Sequence, residues 1–158
     1  MVEMKTTPKS FTPALENGVA FRLQHSLVEL IDLALHSKQA HWNVVGPNFR
    51  SLHAQFDEIS DMARLKADGV AERLAALQVS PDGTLATVCE SPLESFPVGW
   101  LHGPAAVTAI LARIDHLSRA NLLRIKEISG IDPVAETILV DLAGELDKAA
   151  WMLRVQEE

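Results

Sequence analysis

Histidine and carboxylate side chains recur along one central stretch of the chain at spacings that suit metal chemistry. His53 lies four residues before Asp57, and Asp68 lies four residues before Glu72. On a helix, residues four apart share a face. At about 100° per residue, positions 53, 57, 68 and 72 fall near 0°, 40°, 60° and 100° around the axis, so all four project from one side. Asp57 and Asp68 are nevertheless about 16 Å apart along the axis at ~1.5 Å per residue, whereas imidazole nitrogen and carboxylate oxygen hold a metal at about 2.0–2.2 Å. One chain cannot close the four onto a single metal centre.

Two copies can. When two identical helices pack antiparallel about a two-fold axis, the positions that meet have a constant sum. Positions 53 and 72 add to 125, and so do 57 and 68. One register therefore brings His53 towards the partner's Glu72 and Asp57 towards the partner's Asp68, and symmetry makes two identical shared sites. A solvated acidic face would show the same four-residue spacings; shared phase and shared register separate the two readings. Histidine with several carboxylates suits Fe(II), Mn(II) or Zn(II). With Cys89 the single cysteine, iron–sulfur and structural zinc-ribbon chemistry is excluded. The Glu-x-x-His pairs of a di-iron bundle closed within one chain are absent, which moves such chemistry to an interface.

The elements that must position these residues are helices. Leu23, Leu27, Leu30 and Ala34 form one apolar stripe on a first helix expected from about 15 to 43, stopped by Val44-Val45-Gly46-Pro47. Asn48 is the expected N-cap of a second helix running to about 78, where Ser80-Pro81-Asp82-Gly83 reads as a turn. The stretch from about 79 to 103, rich in Pro and Gly, is too long for a hairpin between neighbouring helices and long enough to cross a bundle. A short helix is expected within it near 85–90. A third helix opens at Pro104 and runs to about 129, ended by Gly130. Asp132-Pro133 caps a fourth, expected to about 156, with Leu139, Leu142, Leu146, Ala149 and Leu153 as its stripe. No stretch reads as a convincing strand pair. The domain reading is a tail over 1–14, a four-helix bundle over 15–156 and a short end over 157–158.

Composition agrees with one compact unit: 158 residues, 47% apolar and 22% charged. A formal net charge of −7 argues against coating nucleic acid by bulk charge and suits a surface that attracts cations. No uninterrupted apolar run is long enough for a membrane span, and Met1-Val2-Glu3-Met4-Lys5 lacks a basic stretch followed by an apolar run, so no secretory signal is expected. A lone cysteine fits a reducing compartment, so a cytoplasmic protein is expected.

The run Lys38-Gln39-Ala40-His41-Trp42-Asn43-Val44-Val45-Gly46-Pro47-Asn48-Phe49, continuing through Leu52-His53, Phe56-Asp57-Glu58, Asp68 and Ala71-Glu72-Arg73, closely resembles the signature of Dps-type miniferritins. The run Glu145 to Leu153 is similar to that family's last helix, and the resemblance extends from about Leu23 to Arg154. It implies an all-α, ferritin-like four-helix bundle whose long crossover between helices two and three carries a short helix. It also implies that His41, His53 and Asp57 come from one subunit and Asp68 and Glu72 from its two-fold mate; His41 is a residue the second helix alone could not place. The implied activity is ferroxidase: two ferrous ions per intersubunit site, oxidised preferentially by hydrogen peroxide, with ferric mineral stored inside a hollow dodecamer built from two-fold dimers, and protection against oxidative stress. Zinc is a candidate competitor for the site. Trp42 and Trp151 match tryptophans near that centre, where packing accounts for them as well as a redox role does.

Glu58 and Asp61 are candidates for mineral nucleation, or plain solvated acids. Asp132, Glu136 and Asp141 are candidates for an iron-entry pore, although Asp132 also has a capping position. Many family members bind DNA through lysine-rich tails. Here Lys5 and Lys9 stand against Glu3, and the chain ends Gln156-Glu157-Glu158, so any DNA binding is expected to be weak. The alternative expectation is a nucleoid-compacting protein with a secondary iron role.

Overall fold

The computed structural model of the protein describes residues 18–91, 93 and 95–156. The expected tail over 1–14, the expected start of the first helix at 15–17 and the end at 157–158 lie outside the described residues. The elements run α1 (Val19–Asn43), β1 (Val44–Val45), α2 (Phe49–Ala76), α3 (Leu85–Val88), β2 (Leu101–His102), α4 (Gly103–Ile128) and α5 (Pro133–Arg154). α1 packs chiefly on α2 and α4 on α5, while α1–α4 and α2–α5 contacts join the pairs. The expected all-α bundle with one long crossover is therefore the observed one. Each of the four long helices turns its apolar stripe to a common core that includes Leu23, Leu30, Phe56, Val70, Ile110, Ile114, Leu139 and Leu146, all fully buried.

The ends differ from expectation in instructive ways. Within the described residues α1 begins at Val19, after Gly18, whose backbone is extended. Asn48 does precede α2, but its side chain makes no capping hydrogen bond. α2 ends two residues early because Gln78 adopts a left-handed backbone with φ 61°. The short crossover helix is one turn rather than six residues, and α4 begins at Gly103, one residue ahead of Pro104. α5 starts as expected: the Asp132 side chain accepts hydrogen bonds from the Val134 and Ala135 amides. Gly130, with φ 73°, makes the left-handed turn between α4 and α5.

One small pairing was not expected. Val44 and Val45 lie parallel to Leu101 and His102, two residues against two. Val44 is fully buried there, so the pairing ties the end of the crossover to the corner between α1 and α2. Between α1 and α4 the core is charged as well as apolar. Arg124 donates to both carboxylate oxygens of Glu29 at 2.6 and 2.7 Å, and Arg113 donates to Asp32 at 3.2 Å. Among the described residues no helix is long and apolar enough to cross a membrane.

Candidate metal centre

His41 is in the last turn of α1, and His53 is in the second turn of α2. Between them lies a corner that only a few residues can make: Gly46 has φ 114°, a conformation that side chains with a Cβ rarely adopt, and the Phe49 amide closes the turn on the Gly46 carbonyl at 3.0 Å. The corner places the two imidazoles face to face, with ring centroids 3.6 Å apart and planes 20° from parallel. Phe49 leans against His53 with centroids 5.1 Å apart.

Their hydrogen bonds are reciprocal. His41 Nδ1 lies 2.7 Å from the His53 carbonyl oxygen, and His53 Nδ1 lies 2.8 Å from the His41 carbonyl oxygen. A carbonyl only accepts, so both Nδ1 atoms carry the proton and donate. In the neutral ring that leaves Nε2 with its lone pair free on each histidine. A backbone carbonyl holding the far nitrogen is the arrangement that fixes the tautomer and orientation of metal-binding imidazoles.

Asp57 follows one turn after His53, and the Lys38 ammonium of α1 is ion-paired with its carboxylate. The hydrogen bond from Lys38 holds the Asp57 carboxyl below its ordinary range. Burial opposes this, and the charge of Lys38 reinforces it. Lys38 therefore places a cation against the carboxylate assigned to metal binding. The lysine lies inside the family signature, and its position three residues before His41 is the only sign of this role in the sequence.

Asp68 and Glu72 sit further along α2, both exposed, and among the described residues neither has an ion-pair or hydrogen-bond partner. Asp68 borders a mostly apolar groove of about 370 Å³ lined by Leu27, Ile31, Leu35, Ala71 and Pro81. One chain thus brings His41, His53 and Asp57 to one end of α2 and leaves Asp68 and Glu72 towards the other. Among the described residues no three His, Cys, Asp or Glu side chains converge on a common point. Trp42 and Trp151 are both well exposed, at 64% and 61%, so neither packs inside the subunit.

The three acids considered for a pore are already occupied within the chain. Asp132 caps α5 and accepts from Arg73 at 2.7 Å, Asp141 is ion-paired with Lys66, and Glu136 accepts from Ser129 at 2.9 Å.

Residues 22–157 match the ferritin-like domain. The chain is 33% identical over 149 residues to the fine tangled pili major subunit of Haemophilus ducreyi, covering 94% of this chain and 79% of that protein. It is 35% identical over 143 residues to the DNA protection during starvation protein of Mycolicibacterium smegmatis, covering 90% of this chain and 78% of that one. The Dps of Microbacterium arborescens, solved in its high iron form, superposes with a TM-score of 0.85 at 26% identity over 93% of this chain and 97% of that one. A ferritin-like match across nearly the whole bundle, with Dps proteins among both its sequence relatives and its structural neighbours, makes this chain a member of the Dps family of miniferritins.

Proposed function

We propose that the chain is the subunit of an iron-storing cage that oxidises Fe(II) at sites shared between two copies, with hydrogen peroxide as the preferred oxidant. The observation that carries this reading is the reciprocal hydrogen bonding of His41 and His53, which leaves two neutral imidazole lone pairs beside the Asp57 carboxylate. Asp68 and Glu72, exposed on the same helix and without partners among the described residues, are the acids that the antiparallel register assigns to the second copy. The imidazoles bind ferrous ion without adding charge, and the carboxylates balance it. Two ferrous ions together supply the two electrons that reduce one peroxide to water, so no hydroxyl radical is released. The ferric product is stored in the cavity of a dodecamer in the cytoplasm, which removes both reagents of oxidative damage. Zinc, with the same ligand preferences, competes for the site.

The test is anaerobic. The protein is loaded with about two Fe(II) per shared site, peroxide is added, and ferric absorbance is followed by stopped flow, with Asp57→Ala and Glu72→Ala alongside. Fast oxidation by peroxide, slow oxidation by air and loss of at least about tenfold in both variants are expected. Oxidation no faster than that of iron in buffer overturns the reading.

A second reading, nucleoid compaction, takes its motive from the Mycolicibacterium smegmatis relative, which is named for DNA protection. Lys5 and Lys9, which lie outside the described residues, make it the weaker one. A shift of plasmid DNA at neutral pH that disappears with salt would favour it.

A further inference from the structure

The face of α2 between the two halves of the site carries two more charges, and they obey the same register. Asp61 and Arg64 add to 125, as 53 with 72 and 57 with 68 do. At about 100° per residue they lie near 80° and 20° on the wheel, inside the arc spanned by His53 and Glu72. Both are exposed. Arg64 has Asp61 three residues before it and Asp68 four residues after it, either of which it could bridge on one helix. Among the described residues it is ion-paired with neither, and Asp61 has no partner either. The surroundings are apolar: Leu65 is 69% exposed, Leu35 is 47% exposed, and Arg64 lines the same groove as Asp68.

We infer that Asp61 and Arg64 form two reciprocal ion pairs with a second copy of this chain, and that these pairs set the register on which the shared site depends. This rests on the shared-site reading above. The physical reason is distance from the axis. In the register that sums to 125, the two-fold lies between positions 62 and 63, so residues 61 and 64 are each about 2 Å from it along the helix, whereas 53 and 72 are about 14 Å away. Near the axis two helices stay in contact at any crossing angle; far from it a small change of angle separates them. The central pairs therefore report register independently of angle. A slip of one turn in either direction breaks both and sets like charges closer. Apolar surface from Leu35, Leu65 and the groove excludes water from the flanks, which strengthens the pairing.

Charge reversal of the full-length protein tests this. In Asp61→Arg the symmetric contact sets arginine against arginine, and in Arg64→Asp it sets aspartate against aspartate. Each single variant is expected to weaken the dimer by at least about tenfold and to shift the cage towards monomers in native mass spectrometry and sedimentation. Combining Asp61→Arg with Arg64→Asp restores opposite charges and is expected to restore assembly and oxidation together. Helicity by circular dichroism, unchanged in all three, shows that the bundle itself still folds. Single variants that assemble like the wild type overturn the inference, and so does a double variant no better than the singles. Either outcome leaves the shared site standing. That reading fails separately, when Asp57→Ala and Glu72→Ala oxidise iron normally in intact cages.

Discussion

Two charged regions of the subunit contrast sharply. Along the α1–α4 seam, Glu29, Asp32, Arg113 and Arg124 are all buried, and each carboxylate meets a guanidinium within the chain. Along the outer face of α2, Asp61, Arg64, Asp68 and Glu72 are all exposed, and none has an ion-pair partner among the described residues. A buried charge must be paired where it stands, because the fold cannot form around it otherwise. An exposed charge can wait in water for a partner that arrives later. The first region is finished chemistry that shapes the subunit; the second is unfinished chemistry, which the proposed function assigns to iron and to a second copy.

Breaking the finished region has the largest expected effect. Arg124→Ala would leave the Glu29 carboxylate buried, with only His116, at 3.6 Å, as a partner among the described residues. Such truncations typically cost about 3–5 kcal/mol, readable as a lowered midpoint in urea at fixed protein concentration. Replacing both partners, Glu29→Leu with Arg124→Met, is expected to recover most of that loss, since well-packed apolar residues often equal a buried pair. Oxidation per folded site is expected to be unchanged in the double variant. A single variant as stable as the wild type would erase the contrast.

Lys38 sharpens the comparison because it crosses between the regions. It belongs to α1, yet it satisfies Asp57, the one carboxylate of the α2 face that is ion-paired among the described residues. At the proposed site iron would have to displace or share that ammonium. Lys38→Met removes the competitor and keeps the length of the side chain, so Fe(II) titration is expected to show binding a few-fold tighter at the site. Weaker binding would mean that Lys38 orients Asp57 rather than competing for it.

The parts of this picture that were legible in the sequence are those fixed by local periodicity. His53, Asp57, Asp68 and Glu72 declare one face because helical phase is arithmetic, and Asp132-Pro133 declares a helix start because cap and proline each have a single local reason to be there. What was not legible depends on partners distant in sequence. Glu29, Asp32, Arg113 and Arg124 look like ordinary solvated helix residues until α4 is laid on α1. Lys38 looks like any surface lysine until the corner at Gly46 folds it over Asp57. The Val44–Val45 pairing needs a partner more than fifty residues away, and two residues carry too little β-pattern to announce it. The stacking of His41 on His53 belongs to the same class: the resemblance to the family signature grouped them, and only the corner's backbone shows each ring held by the other's carbonyl.

Asp132 gives the finest test of the contrast, because the sequence allowed it to be either kind of charge: a free acid at a pore or a bound one at a cap. The structure binds it, to two amides of α5 and to Arg73 of α2. Burial would push its carboxyl upward, but the hydrogen bonds from Arg73, Ala135 and Val134 outweigh this and hold it below the ordinary range. A depressed carboxylate stabilises the fold above its unfolded pKa, near 4, and that stabilisation is lost as pH falls through the folded value. Asp132→Ala is therefore expected to lose about 1–2 kcal/mol near neutral pH, with the gap to wild type closing below about pH 4. Asp132→Asn keeps a capping oxygen and loses only the charge facing Arg73, so its deficit is smaller and disappears over the same interval. A gap that persists undiminished at low pH would show that the side chain acts through packing, and Asp132 would no longer count among the charges that the fold has already paired.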